Sequence, residues 1–301
     1  MKTIDFNGWK NSVLLQGGGL EAVITADVGP RIARYGFEGQ RNLFAEIEGQ
    51  QGGSGEDEWM IRGGHRLWLS PERQPMTYEL DNSPIEVEEI PGGVRTLQPA
   101  GELSGVAKTM EITLAPDSGR LDIVHVLTNR GGKPIELAPW ALTVMAPGGT
   151  SFVPLPPKIA HTERLTHNQQ WSIWGYTDFT DPRWTLGSRY IIFRQDAERG
   201  PTKLGIANRE GWAAYLLDGF LFVKLYSHDD GATYPDGGVS YETYSQQDFL
   251  EMESLGGLVT LEPGKAVSHR ESWAAFRGLP ACDTEEQIEE HVLPLVRPLL
   301  Q

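Results

Sequence analysis

The sequence predicts an all-β protein built from antiparallel strands. Short runs of alternating apolar and polar residues recur along the chain, and turn-forming residues separate them about every 8 to 12 residues. The turns draw on 35 Gly and 20 Pro residues among 301. This spacing is typical of a β-sandwich or barrel, and such folds commonly exceed about 200 residues as one unit. We therefore expect a single domain over residues 1–301.

The clearest strand pair is predicted at 106–128, VAKTMEITLAPDSGRLDIVHVLT, where two alternating runs flank a Pro-Asp-Ser-Gly turn. A second hairpin is predicted at 258–276, because Pro263 and Gly264 suit the central positions of a type II turn. Further strands are predicted at 13–16, 20–26, 30–37, 85–90, 93–98, 135–146, 189–194, 202–208, 211–216, 219–226 and 247–254.

Helical signals are confined to the carboxy terminus. Asp283 or Thr284 can cap a first turn that is rich in acidic residues, which suit the positive end of a helix. Pro294 and Pro298 then interrupt the pattern. We expect one short C-terminal helix.

Charge excludes two classes of partner. The chain has 41 acidic and 26 basic residues, a net charge of −15. Phosphate backbones and anionic lipids are bound mainly through clustered Lys and Arg, so neither nucleic acid nor a membrane is an expected partner. The amino terminus has no apolar signal segment and no run approaches about 18 apolar residues, so we expect a cytoplasmic protein. No oligomeric state follows from these observations.

The densest motif is WMIRGGHRLWLSPE, residues 59–72, which includes Arg62, His65, Arg66 and Trp68 around a Gly pair. Sugar rings stack on indole while their hydroxyls take hydrogen bonds, so this mixture favours a carbohydrate site. The alternative is structural: the Trp side chains belong to the core and the Arg side chains form ion pairs with nearby acidic residues.

A second candidate is DFLEMESLG, residues 248–256. If this run is a strand, Glu251 and Glu253 share one face about 6.6 Å apart. In a cleft, their repulsion would raise one pKa and leave a base and an acid of different strength. The alternative is that both side chains point to solvent.

Between these motifs, residues 221–244 carry Lys224 and Tyr226 on a strand, followed by a polar loop with Asp236 and Glu242. His, Asp and Glu at this spacing could ligate a metal, but Asp-Gly pairs in loops are usually turn chemistry and no HExxH motif is present. We expect neither a metal nor a cofactor.

The order of these motifs resembles the galactose mutarotase (aldose 1-epimerase) superfamily. The resemblance rests on VGPRIARYGFEGQRNLF, GGHRLW, HVLTNRGGKPIELAPWALTV, FLEMESLG and LEPGKAVSHRESW, and it covers roughly residues 12–277. It implies a large antiparallel β-supersandwich whose concave sheet holds a sugar.

The resemblance also implies roles for individual residues. Glu251 is most similar to the base that takes the anomeric proton, with Glu253 as a competitor, and His65 looks like the sugar-binding His. The middle motif PWALTVMAPGG lacks the His that acts as acid in these enzymes. His65, Lys224 or Tyr226 would then replace it, or the fold has kept sugar binding and lost or changed the chemistry.

We therefore predict a protein that binds a small-molecule carbohydrate, with aldose 1-epimerase-like isomerisation by general acid–base chemistry as its activity. The predicted catalytic residues are Glu251, His65 and Lys224. The predicted substrate-binding residues are Arg62, Arg66, Trp68, Tyr226, Asp236, Glu242 and Glu253. Arg62, His65, Trp68, Lys224 and Glu251 are expected to converge on one pocket. The alternatives are a non-catalytic sugar-binding or sensing protein, and a glycoside hydrolase or polysaccharide lyase.

Overall fold

The chain forms 21 strands in the computed structural model, which describes residues 1–300. In chain order they are β1 (Lys2–Phe6), β2 (Trp9–Gly17), β3 (Leu20–Thr25), β4 (Arg31–Phe37), β5 (Gly64–Ser70), β6 (Glu86–Ile90), β7 (Gly93–Gln98), β8 (Val106–Leu114), β9 (Leu121–Asn129), β10 (Ile135–Met145), β11 (Thr150–Pro154), β12 (Trp171–Ile173), β13 (Trp184–Leu186), β14 (Tyr190–Arg194), β15 (Thr202–Ile206), β16 (Trp212–Leu217), β17 (Phe220–Tyr226), β18 (Tyr241–Gln246), β19 (Phe249–Leu255), β20 (Val259–Leu261) and β21 (Ala266–Arg277).

These strands make two antiparallel sheets. The first sheet has 11 strands in the order β1-β2-β3-β4-β5-β10-β19-β18-β15-β12, with β20 paired to the start of β10. The second sheet has 10 strands in the order β13-β14-β11-β16-β17-β21-β9-β8-β7-β6. The predicted all-β, antiparallel sandwich is confirmed.

The hairpin predicted at 106–128 is confirmed, since β8 pairs with β9 from Val106↔Asn129 to Leu114↔Leu121. The hairpin predicted at 258–276 is wrong in its pairing. The turn forms as expected, with a positive φ of 81° at Gly264, but the strand before it pairs with β10 and the strand after it pairs with β9 and β17. This turn therefore passes the chain from one sheet to the other.

The predicted C-terminal helix is confirmed, and it runs further than its prolines suggested. It comprises α1 (Glu285–Gln287), a π-helical turn (Ile288–Val292), α2 (Leu293–Val296) and a 3-10 turn (Arg297–Leu300). Thr284 caps it in a capping box with Gln287. No helical segment in residues 1–300 has the length and apolar character needed to cross a membrane.

The two sheets enclose the main core. Its centre is a group of interlocking aromatic rings, in which Trp273 packs edge-on against Phe44 and Phe222 at centroid distances of 5.5 and 5.4 Å. The C-terminal helix covers a smaller core on the second sheet, with Ile288 and Val296 packed into the cluster that includes Val223. The first sheet is left with one face in the core and one face that the helix does not cover.

A polar group also lies between the sheets. We name it the inter-sheet polar cluster, and its fully buried members are His65, His125, His269, Lys224 and Glu271. His125 Nδ1 lies 3.2 Å from the carbonyl oxygen of His269 and must donate to it, so His125 Nε2 accepts from His65 Nε2 at 2.7 Å. These contacts assign a tautomer to each ring and leave both neutral.

The charged part of the inter-sheet polar cluster is an ion pair. Lys224 Nζ lies 2.9 Å from Glu271 Oε1 and also donates to the carbonyl oxygens of Ala141 and Met252 in the first sheet. Glu271 Oε2 accepts from the indole of Trp273 at 2.8 Å. Although burial alone would raise it, the pKa of Glu271 lies well below its usual range because of the charge of Lys224. This pair joins the two sheets.

The buried imidazoles should make the protein lose stability in acid. Burial lowers the pKa of His125 to about 4 and that of His269 to about 3, and it holds the pKa of His65 well below 6.5. The unfolded chain takes up these protons near pH 6.5, so the stabilisation is complete above that pH and is lost as the pH falls towards 4. Each imidazole contributes a slope of about 1.4 kcal/mol per pH unit in this range.

Urea unfolding at a series of pH values between about 7.5 and 5 measures this slope. His125→Gln removes one titrating ring and should lower the slope by about 1.4 kcal/mol per pH unit, whatever it does to the free energy of unfolding at neutral pH. His161→Gln, in an exposed loop, is the control and should leave the slope unchanged. Buried carboxyl groups with raised pKa values, such as Glu242, contribute a slope of the opposite sign, so the comparison of the two proteins is the test. Equal slopes in wild type and His125→Gln would contradict the assignment.

Candidate functional site

The uncovered face of the first sheet carries a cleft. Successive side chains of a strand point to opposite faces, so alternate residues of its central strands line this face while the residues between them enter the core. The outward set on β5, β10, β18 and β19 comprises Arg66, Trp68, Trp140, Leu142, Glu242, Tyr244, Phe249, Glu251 and Glu253. Polar and aromatic side chains predominate in it.

The larger part of the cleft, which we name the main chamber, has a volume of about 680 Å³. Aromatic rings form most of its wall: Trp59, Trp68, Tyr78, Trp140, Tyr176, Tyr244 and Phe249. Trp68 contacts both Trp59 and Trp140, with ring centroids 4.9 and 5.5 Å apart. The chamber therefore offers flat apolar surfaces between a few charged groups.

An ion pair marks one side of the main chamber. Arg66 Nη1 lies 2.8 Å from Glu251 Oε1, and the guanidinium stacks 4.2 Å from the ring centroid of Trp68. This contact occupies only part of the acceptor capacity of the Glu251 carboxylate, which can take a further hydrogen bond. Burial and the charge of Glu253 raise the pKa of Glu251, although Arg66 lowers it. Glu251 is thus a carboxylate with increased basicity.

A smaller side chamber of about 330 Å³ adjoins the first and shares Glu72, Trp140 and Lys203 with it. Its remaining lining residues are Gln74, Trp174, Asp236 and Glu242. The two chambers meet at Trp140, so the cleft is continuous across the sheet.

Lys203 organises the floor where the chambers meet. Its Nζ lies 2.7 Å from Glu242 Oε2 and 2.9 Å from Glu253 Oε2, between the rings of Trp140 and Trp174 at 4.8 and 4.7 Å. Burial would lower the pKa of Lys203, but the two carboxylates outweigh it and raise that pKa well above its usual value. Lys203 therefore keeps its charge.

The carboxyl groups of the side chamber are weak acids. Burial raises the pKa of Glu242 well above its usual value, in spite of Lys203. Burial also raises the pKa of Asp236, which accepts a hydrogen bond from Ser70 at 3.3 Å. Lys203 holds Glu242 Oε2 at 2.7 Å, whereas Glu242 Oε1 has no hydrogen-bond partner. The side chamber thus holds a buried carboxyl group with free hydrogen-bonding capacity.

Comparisons with known proteins give a clear result for the fold alone. No family model matches the sequence, and no curated protein aligns with it significantly. Among solved structures, a galactose mutarotase-like protein from Lactobacillus casei matches with a TM-score of 0.61 at 11% identity, covering 88% of this chain and 100% of that one. A galactose mutarotase related enzyme from Lactobacillus acidophilus matches at 0.53 and 10% identity, covering 91% and 100%. The Slr1438 protein of Synechocystis matches at 0.59 and 11% identity, covering 92% and 100%.

The chain has the galactose mutarotase-like fold. The predicted supersandwich is therefore confirmed, and the match spans most of the chain. At these identities the likeness says nothing about which residues act, so the site must be judged from its own side chains.

Five of the predicted residues line the cleft of this galactose mutarotase-like sandwich. Arg66, Trp68 and Glu251 lie in the main chamber, and Asp236 and Glu242 lie in the side chamber.

Glu253 lies at the cleft floor, where its Oε2 accepts from Trp140 Nε1 at 2.9 Å and from Lys203. The two carboxylates of β19 do share one face, as the alternation predicted, and this face lines a cleft instead of facing bulk solvent.

Three predicted site residues lie on the opposite side of the first sheet, so the expected convergence of His65 and Lys224 with Glu251 is wrong. His65 and Lys224 belong to the inter-sheet polar cluster, and Tyr226 stacks on Tyr241 in the core at 5.4 Å. The reason is strand alternation: His65 precedes Arg66 on β5, so one enters the core and the other enters the cleft. Lys224 and Tyr226 reach the same core from the second sheet.

Arg62 also lies outside the cleft. Its buried guanidinium pairs with Glu56 and donates to Asn82 Oδ1 and to the carbonyl oxygen of Gly53. It therefore holds the loop before Trp59, as the structural alternative for this motif proposed. The neighbouring Gly63 has a φ of 90°, and a Cβ there would lie 1.8 Å from the carbonyl oxygen of Ala45, so the Gly pair serves backbone packing.

Several lining residues were not predicted: Trp140, Trp174, Tyr78, Tyr244 and Lys203. Lys203 had a detectable signal, since it is the lone charge in an otherwise apolar and small-residue run, TKLGIA. Trp140 alternates with Leu142 and resembled an ordinary core strand. Trp174 precedes the next sheet strand by a long irregular segment, so only the tertiary structure places it.

A metal site needs several ligand atoms close together. Among residues 1–300, one group has ligand atoms within 4.8 Å of one another: His65, His125 and Glu271. Each of these side chains already has hydrogen-bond partners in the inter-sheet polar cluster, and the Lys224 ammonium group lies against Glu271. A divalent cation would add a large uncompensated charge to a dry core, so this set is better suited to a structural role.

Removing the cation at the floor of the cleft should destabilise the protein. Lys203→Met leaves Glu242 and Glu253 buried without a counter-ion, which costs about 3 to 5 kcal/mol when a buried pair is broken. Adding Glu253→Gln to this variant should recover part of the loss. Urea unfolding measures both, with the exposed Lys10→Met as the control. A Lys203→Met protein as stable as the control would contradict the ion network.

Proposed function

We propose that the chain binds a carbohydrate in the main chamber of the cleft. The observation that carries the proposal is the combination of flat aromatic walls with the Arg66–Glu251 pair. Sugar C–H faces stack on indole and phenol rings, and hydroxyl groups take hydrogen bonds from guanidinium and give them to carboxylates. The fold supports this choice, because two of the matched structures are named as galactose mutarotase-like or related.

We further propose that the bound sugar undergoes anomerisation, with Glu251 as the general base. Glu251 takes the proton from O1 of a cyclic aldose, C1–O5 breaks as C1=O1 forms, and the ring oxygen takes a proton from Lys203. Rotation about C1–C2 and reversal of these transfers give the other anomer. The raised pKa of Glu251 suits a base, whereas the raised pKa of Lys203 makes it a reluctant acid, so we expect a modest rate.

In this mechanism the general acid is Lys203, which differs from the acids predicted from the sequence. His65, Lys224 and Tyr226 lie behind the sheet and cannot reach a sugar in the main chamber, whereas Lys203 lines it. A non-catalytic sugar-binding protein is the alternative, and it is favoured by the same raised pKa of Lys203. Isomerase activity and a cytoplasmic location remain predictions.

Sugar binding should depend on the aromatic wall. Trp59→Ala removes one partly exposed ring that lines the main chamber and should weaken binding of an aldose about tenfold, because a lost stacking surface reduces affinity by up to that factor. Trp59→Phe keeps a flat ring and should retain most of the affinity. Titration calorimetry with glucose, galactose and mannose measures this. Binding by none of these sugars to the wild type would contradict the proposed function.

Anomerisation should depend on Glu251. Glu251→Gln keeps the shape of the side chain but removes the base, so the rate should fall about 100- to 10,000-fold. Glu253→Gln is the matched control and should matter less, because Glu253 Oε2 is already engaged by Trp140 and Lys203. The wild-type rate should also fall in acid, at a midpoint above the usual 4.5 of a Glu carboxyl group, since its pKa is raised.

Polarimetry or NMR of freshly dissolved sugars gives these rates. A wild-type rate equal to that of buffer, together with measurable binding, would remove the isomerase proposal and leave the binding protein.

A further inference from the structure

We propose that the cleft takes a neutral carbohydrate of at least two sugar units, with one unit in the main chamber and the second in the side chamber. This inference rests on the proposed sugar-binding function and deepens it by naming the substrate class. Nothing in the isomerase mechanism requires the side chamber, which therefore needs its own explanation.

The first argument is size and continuity. The chambers have volumes of about 680 and 330 Å³, and each reaches the range of about 300–1,000 Å³ that small-molecule pockets occupy. They share Glu72, Trp140 and Lys203, so the two chambers are adjacent and a ligand of two linked units can occupy both. A single sugar ring would occupy one chamber, and the second chamber would hold only water.

The second argument is the arrangement of flat surfaces. Trp59, Trp68 and Trp140 make successive contacts across the main chamber, and Lys203 links Trp140 to Trp174 in the side chamber. Each chamber therefore has its own indole surface at which a sugar ring can stack. Trp174 is half-buried and lines the side chamber, with the Lys203 ammonium group 4.7 Å from its ring centroid.

The third argument is the buried carboxyl group of Glu242. Its Oε2 is held by Lys203 at 2.7 Å, but its Oε1 has no hydrogen-bond partner, and the group lines the side chamber. A buried acceptor without a donor is destabilising, so Glu242 Oε1 points to a ligand that satisfies it. With Asp236 beside it, the group offers donors and acceptors to hydroxyls.

Charge selects a neutral ligand. The cleft contains Arg66 and Lys203 against five acidic side chains, Glu72, Asp236, Glu242, Glu251 and Glu253, and both basic groups are already paired. No unpaired cation in this set is available for a carboxylate or phosphate on the ligand. Sugar phosphates and uronic acids should therefore bind more weakly than neutral sugars.

Titration calorimetry of the wild type with glucose and galactose, and with maltose, cellobiose and lactose, tests the proposal. At least one disaccharide should bind about tenfold more tightly than its constituent sugars, because the second stacked ring and the contacts with Glu242 add to the first. Trp174→Ala should lower the ratio of disaccharide to monosaccharide affinity about fivefold. Phe179→Ala, which removes an exposed ring that lines neither chamber, is the control and should leave both affinities unchanged.

The possible results distinguish the two-unit ligand from sugar binding in general. Monosaccharide binding with no gain for any disaccharide would overturn the two-unit ligand and leave the sugar-binding function standing. An unchanged affinity ratio in Trp174→Ala, with a folded protein by thermal melting, would also overturn it. If none of the five sugars binds, both proposals are overturned. Tighter binding of glucose 6-phosphate or a uronic acid than of the neutral sugars would contradict the choice of a neutral ligand.

Discussion

Strand alternation in the middle of the first sheet is the constraint on which the rest of the molecule depends. β5 and β19 are buried along their whole lengths on both faces. Each polar side chain on them must therefore enter either the inter-sheet core or the cleft, and adjacent residues must take opposite sides. His65 and Arg66 show this directly, since one joins the inter-sheet polar cluster and the other pairs with Glu251.

The two polar groups on either side of this sheet differ in how completely they are satisfied. In the inter-sheet polar cluster, Lys224 uses three acceptors, and both oxygens of Glu271 receive donors. In the cleft, by contrast, Glu242 Oε1 and Glu253 Oε1 have no hydrogen-bond partner. Since an unmade hydrogen bond at a buried group is destabilising, a completed network indicates a structural role and an incomplete one indicates a place for a ligand.

Sequence reasoning predicted the fold and part of the site. The β8–β9 hairpin and the shared face of Glu251 and Glu253 followed from period-2 alternation, which needs only local sequence. β5 was missed as a strand because Gly64 and its charged neighbours do not resemble a buried strand. The face of a residue follows from its register, and without β5 as a strand, His65 and Arg66 could not be assigned to opposite sides. Lys203 and Trp174 join the site only through long-range pairing of β15 with β18 and β12.

The fold alone does not determine the chemistry of the cleft, which depends on the side chains that line the cleft. Matches at 10 to 11% identity support the two-sheet architecture, whereas proton transfer to a sugar ring needs a group with a suitable pKa at the right place. Among residues 1–300, no imidazole lines either chamber, and the cation that does so has a pKa raised by two carboxylates. The same carboxylates hold Lys203 between two indoles, which is a good arrangement for orienting hydroxyl groups and a poor one for releasing a proton. The geometry therefore favours recognition of the sugar more strongly than its turnover.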